Sequence, residues 1–114
     1  MAITIWHNNR CGKSRSALNI LEEKGITPSV VKYLETPPTA NEIKDVLKKA
    51  GLKAHDLIRT GEDIYKQNYK GKTLTEAEWI EAMVQHPILI ERPVVINGDK
   101  AVIARPPEKV LEIL

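Results

Sequence analysis

At 114 residues the chain has the size of one domain and is too short for two substantial ones. Its hydrophobic fraction of 42% can fill a packed core, which excludes intrinsic disorder, and a formal net charge of +2 with no basic block argues against nucleic-acid binding as the main activity. No apolar run is long enough for a bilayer and the start lacks the pattern of a signal peptide, so no membrane association and a cytoplasmic setting are expected.

The start, Met1 to Trp6, reads as a first strand, with residues 2–6 apolar and β-branched as in a strand buried in a sheet. A polar loop follows, His7-Asn8-Asn9-Arg10-Cys11-Gly12-Lys13. Ala17, Leu18, Ile20 and Leu21 then fall on one helical face, and Gly25 stops that helix. Val30, Val31 and Tyr33 suggest a second strand, and strand–helix–strand implies a parallel pair with a right-handed crossover. Pro37-Pro38 breaks the chain before Thr39-Ala40-Asn41-Glu42, a capping box backed by an apolar stripe of Ile43, Val46, Leu47 and Ala50. Between 52 and 70, Leu57, Ile58, Ile64 and Tyr65 can anchor short helical pieces. Thr75-Glu76-Ala77-Glu78 is a second capping box, leading into a helix with Trp79, Ile80, Met83 and Val84. Beyond His86-Pro87, two apolar runs at 94–96 and 101–103 flank the hairpin turn Asn97-Gly98-Asp99-Lys100. Pro106-Pro107 precede a short terminal helix with Val110, Leu111, Ile113 and Leu114. A βαβ unit, a block of helices and a ββα unit can meet around one mixed sheet. One α/β domain over 1–114, thioredoxin-like with a helical insertion at about 39–86, satisfies this order; other small α/β folds stay open on pattern alone.

Cysteine use is the most informative feature. The single Cys11 cannot form an internal disulfide, so redox chemistry at this sulfur requires a thiol from outside the chain. Cys11 falls between a predicted strand end and a helix N-terminus, where unpaired backbone N–H groups favour a thiolate or a bound oxyanion. Arg10, Lys13 and Arg15 add positive charge, Gly12 permits close backbone approach, and Ser14 can cap the helix or bond the sulfur. A lone intracellular cysteine is commonly a buried structural one, but the residues around Cys11, from His7 to Arg15, are polar, charged or Gly, which favours reactivity. In Cys11-Gly12-Lys13-Ser14, Ser stands where a self-resolving dithiol needs its second Cys. Position 17 is Ala, where a cysteine-phosphatase loop needs Arg. His7, His55 and His86 lack close metal-ligand spacing, and no metal is expected. His7 is open to two roles, support of the thiolate or loop hydrogen bonding. Trp6 and Trp79 are expected in the core.

His7-Asn8-Asn9-Arg10-Cys11-Gly12-Lys13-Ser14-Arg15 resembles the active-site loop of the glutaredoxin-dependent arsenate reductase (ArsC-like) family, especially its shorter members. Tyr33-Leu34-Glu35-Thr36-Pro37-Pro38, the run from His86 to Val95 and the run from Arg105 to Leu114 resemble its other signatures, so the likeness covers the whole chain. The resemblance implies a thioredoxin-like fold with a helical insertion and Cys11 as nucleophile. It implies Arg59, Arg92 and Arg105 as anion-binding arginines and His7, Ser14 and Arg15 as loop positions near the thiolate. It also implies a cis bond before Pro93. Asn9 stands where the family commonly has Pro, and Lys13 where its best-known members have a small hydroxylated residue. Taken singly, Arg59 could neutralise a helix C-terminus, Arg92 could be a surface residue and Arg105 could pair with Glu108. Taken with Cys11 they make a fork for a tetrahedral oxyanion. The expected partners are arsenate or a similar oxyanion, glutathione as external reductant and glutaredoxin, with no bound cofactor and a monomer as the default. The alternatives are a glutathione-dependent reductase of another substrate and a non-catalytic Spx-like regulator that binds RNA polymerase. The second of these typically needs the CxxC switch that Ser14 removes.

Overall fold

The computed structural model describes residues 2–114; the part of the expected first strand at Met1 lies outside them. Four strands, β1 (Ile3–Trp6), β2 (Ser29–Val31), β3 (Val94–Asn97) and β4 (Lys100–Ile103), form one mixed sheet in the order β2-β1-β3-β4. β1 runs parallel to β2 and antiparallel to β3, and β3 pairs with β4 through the predicted hairpin. This is the thioredoxin-like α/β arrangement expected from the order of elements.

Alternation along the strands sends side chains into two cores. Ile3, Ile5 and Val95 pack with Ala17 and Leu21 of α1 (Gly12–Glu23) and with Val110 and Ile113 of the terminal 3-10 helix Pro107–Ile113. Trp6 and Val94 face the other way, towards α2 (Ala40–Ala50) and α4 (Glu76–Gln85). Each wholly buried Leu or Ile in these layers contributes about 1.5–3 kcal/mol relative to an exposed one. Trp6 and Trp79 are both core residues.

Both predicted capping boxes form. The Thr39 and Thr75 side chains accept the N–H of Glu42 and Glu78, whose carboxylates accept the threonine N–H groups in return. Helix α1 ends in a Schellman turn, in which Gly25 at φ 76° lets its N–H reach Glu22 O and that of Ile26 reach Leu21 O. The ambiguous stretch between α2 and α4 resolves into a 3-10 turn, Ala54–Leu57, and a short α3 (Asp63–Asn68). The Ala54 N–H ties that turn to the Glu76 carboxylate at 2.9 Å. Tyr33 is not in β2: the strand stops at Val31, a turn closes through Lys32 O, and Tyr33 points wholly into the larger core. Its aromatic, strand-like composition reflects burial, not pairing.

Candidate active site

β1 ends at Trp6, and the next residue already turns away while its N–H still pairs with Val31 O at 2.8 Å. The loop then tightens on itself: the Cys11 N–H donates to Asn8 O at 3.0 Å and the Arg10 N–H to the Asn8 side chain at 3.0 Å. Cys11 is the N-cap of α1, in extended conformation and partly exposed. Ser14, expected as a possible cap, lies one turn inside the helix and is completely buried. Its hydroxyl accepts the Asn8 N–H at 3.0 Å and lies 2.7 Å from Nδ1 of buried His7. The hydroxyl therefore stitches the loop, and it is the Ser14 backbone N–H that faces the sulfur.

Burial works against ionisation of Cys11. The N–H groups of Ser14 and Lys13 and the guanidinium of Arg92 outweigh it and hold the thiol below its ordinary value. The cation acting on the sulfur is thus Arg92, 81 positions along the chain from Cys11. The side chains of Arg10, Lys13 and Arg15, expected in that role, are exposed. Arg15 instead reaches back to Asn9 O at 3.5 Å. A Cβ at Gly12 would meet only the end of Arg15 at 3.9 Å, so the protein itself leaves that approach open. Burial, Lys32 and Arg15 all push the His7 imidazole below its usual value, so the ring is neutral at pH 7 and serves the loop through Ser14.

The arginines are gathered by backbone. Ile58 and Ile90 form an isolated antiparallel bridge, in which the Arg59 N–H donates to Leu89 O and the Glu91 N–H to Leu57 O, each at 2.7 Å. That bridge delivers Arg59 to the segment carrying Arg92. Arg105 arrives from the end of β4: the Ala104 N–H bonds Pro93 O at 2.9 Å, and the Arg105 guanidinium donates to Arg92 O at 3.1 Å. Glu91 places one carboxylate oxygen 3.8 Å from Arg59 Nε and the other 3.9 Å from Arg105 Nε. Arg105 therefore pairs with Glu91, not with Glu108, and Arg59 takes Glu62 and Glu91 as its loose ion partners. The bonds before Pro93 and Pro106 are both cis; the second had no signal in the sequence.

Several of these arginine N–H groups are idle. Among the described residues, Arg59 Nε and Nη1 and Arg92 Nε are buried without a hydrogen-bond partner, and so is the Tyr33 hydroxyl. Burial works against charge on Arg92, but Cys11 and Tyr33 keep the guanidinium firmly protonated. Towards Cys11 this influence includes hydrogen bonding; towards Tyr33 it is electrostatic, because the Tyr33 hydroxyl has no bond of standard geometry among the described residues. Glu91 and Tyr33 were not singled out as site residues from the sequence. Both lie inside the quoted signatures, but nothing in their local pattern tells of an arginine clamp or a buried hydroxyl.

Beside the loop opens a cleft of about 360 Å³, walled by Asn8, Asn9, Arg10, Lys32 and Ile88. Among the described residues no group of three or more His, Cys, Asp or Glu is arranged to hold a metal, and no helix is long and apolar enough to cross a membrane. A cysteine with a depressed pKa at a helix start, facing Arg92, has the features of a nucleophile for a bound oxyanion.

Known proteins resemble the chain over nearly its whole length. The sequence profile of the ArsC family matches residues 6–113. The chain is 47% identical to the arsenate reductase of Haemophilus influenzae (strain ATCC 51907 / DSM 11121 / KW20 / Rd), covering 100% of both chains. It is 50% identical to the uncharacterised protein YfgD of Escherichia coli (strain K12), over 98% of this chain and 96% of that one. Among solved structures, the arsenate reductase from Vibrio cholerae superposes with a TM-score of 0.96 at 44% identity, covering 100% of this chain and 98% of that one.

Proposed function

We propose, from the premise that this chain belongs to the ArsC family, that it is an arsenate reductase working through Cys11 with glutathione and glutaredoxin as electron donors. The observation that carries the reading is the pairing of a depressed Cys11 thiol with Arg92 and with buried arginine N–H groups that have no hydrogen-bond partner among the described residues.

In this reading Arg59, Arg92 and Arg105 hold the tetrahedral oxyanion beside the start of α1. The Cys11 thiolate attacks arsenic, and one arsenate oxygen leaves as water. A glutathione thiolate then attacks the Cys11 sulfur, and the electron pair of the S–As bond passes to arsenic, reducing it from the +5 to the +3 state. Arsenite leaves, and Cys11 remains as a mixed disulfide with glutathione. A glutaredoxin thiol attacks the glutathione sulfur and frees the Cys11 thiolate. The absence of any second cysteine supports external thiols, and the partial exposure of Cys11 leaves its sulfur open to one. A reducing cytoplasmic setting suits this cycle.

The test is arsenate-dependent oxidation of glutathione by the purified chain with glutaredoxin, read as NADPH consumption through glutathione reductase. Turnover with wild type and none with Cys11→Ser supports the reading. A folded, reactive thiol that consumes glutathionylated disulfides but leaves arsenate untouched would move the assignment to a reductase of another substrate.

A further inference from the structure

One group in the arginine cluster has no task in the cycle above. Tyr33 is 0% exposed, yet its hydroxyl has no hydrogen-bond partner among the described residues. Buried tyrosine hydroxyls normally find one, because an orphaned donor keeps its desolvation cost with nothing to offset it. The groups that act on this hydroxyl belong to the candidate site: the Arg92 guanidinium, the Asn8 side chain and the charge of Arg59. Two of those groups are orphaned as well, at Arg92 Nε and at Arg59 Nε and Nη1. Four buried donors from three residues thus lack an acceptor in one neighbourhood. Burial pushes the phenol pKa up against the pull of Arg92, so Tyr33 keeps its proton and can donate. The ring is buried in the larger core, so the hydroxyl is held before any ligand arrives.

We propose that the Tyr33 hydroxyl is an uncharged ligand of the oxyanion pocket, donating a hydrogen bond to the tetrahedral anion held by Arg59, Arg92 and Arg105. The proposal rests on the reading that these arginines bind an oxyanion. Tyr33 brings geometry without charge: a fixed donor fits an acceptor oxygen of the anion while leaving the charge balance around Cys11 unchanged. The orphaned hydroxyl weakens the empty fold and is satisfied only when the pocket is filled.

The experiment compares wild type and Tyr33→Phe for binding of inorganic arsenate, by calorimetry without glutathione, and for thermal unfolding without anion. Phe keeps the ring and removes the orphan. The expected result is arsenate binding weakened about tenfold and a KM raised by a similar factor, as for loss of one hydrogen bond to a charged group. Alkylation of Cys11 keeps its pH profile, and the midpoint of unfolding without anion stays level or rises by a few degrees. A purely structural Tyr33 gives the opposite pair, a lower midpoint with unchanged affinity, and overturns the proposal. If wild type binds arsenate and Tyr33→Phe binds it equally, the Tyr33 assignment alone fails. If wild type binds none, the oxyanion reading falls with it. A second measurement covers a variant that does not fold: with tyrosine labelled at Cζ with ¹³C, the Tyr33 resonance of wild type shifts on saturation with arsenate. A resonance that stays in place overturns the assignment.

Discussion

The Ser14 hydroxyl lies 2.7 Å from Nδ1 of His7, both side chains sealed from solvent, and accepts the Asn8 N–H at 3.0 Å. One oxygen thereby joins the end of the strand, the loop and the first turn of the helix that faces the thiolate. Ser14→Ala leaves the Asn8 N–H and the imidazole nitrogen without their partner. Stability should fall by about 1–3 kcal/mol, the cost of unpaired buried polar groups, read from the urea midpoint. The Cys11 pKa should move up as the loop loosens. A variant as stable and as reactive as wild type would show the stitch to be idle.

The depressed Cys11 thiol makes two pH predictions. Alkylation by iodoacetamide should follow a pH profile displaced below that of an ordinary thiol near about 8.5. Stability carries the same signature. Between the depressed folded value and the ordinary unfolded one, the folded chain has lost a proton that the unfolded chain keeps, so stability rises with pH across that window. It is fully present above the unfolded value and is lost as pH falls through the folded one. Cys11→Ser should lack this slope while keeping the fold, because Ser is itself a favourable N-cap. Matching slopes in wild type and variant would place the titration elsewhere.

What could be read from the chain was local. Strand and helix periodicity, both capping boxes, the hairpin turn and the place of Cys11 at a helix start depend on residues within a turn or two of one another, and the sequence displays them. The clamp is different in kind. The cation beside Cys11 is Arg92, Arg59 arrives through a bridge between Ile58 and Ile90, and Glu91 acts between Arg59 and Arg105. Such contacts are set by tertiary packing and leave no periodic trace. Resemblance picked out the arginines where pattern could not. It was silent on Glu91, and locally Tyr33 reads as a strand residue because buried loops and strands draw on the same aromatic side chains.

In the proposed cycle Arg92 acts on both the Cys11 sulfur and the oxyanion, so its replacement should be the most damaging of the arginine changes. Arg92→Lys keeps a positive charge but loses the planar fork and shortens its reach. Arsenate turnover should drop by about 10²-fold or more, the usual scale for losing a positioned donor to developing charge. The alkylation profile of Cys11 should shift only part of the way towards an ordinary thiol, whereas Arg92→Gln, with no charge, should carry it further. Equal profiles for the two variants would mean that backbone N–H groups alone set the thiol pKa.

Glu91 sets two effects against each other, and their sizes decide the outcome. Its carboxylate orients Arg59 and Arg105, but at 3.8 and 3.9 Å and partly exposed these are loose pairs, worth about 0–1 kcal/mol each. The same carboxylate is a negative charge facing the arginines that hold the oxyanion in the proposed cycle. Near a protein surface, unit charges interact by about 4 kcal/mol at 4 Å, falling with distance and with salt, so repulsion of the anion by Glu91 can exceed the lost orientation. Glu91→Gln should therefore tighten arsenate binding, lowering KM several-fold in dilute buffer and much less at high salt. A KM that rises, independent of ionic strength, would mean that holding the arginines in place outweighs the repulsion.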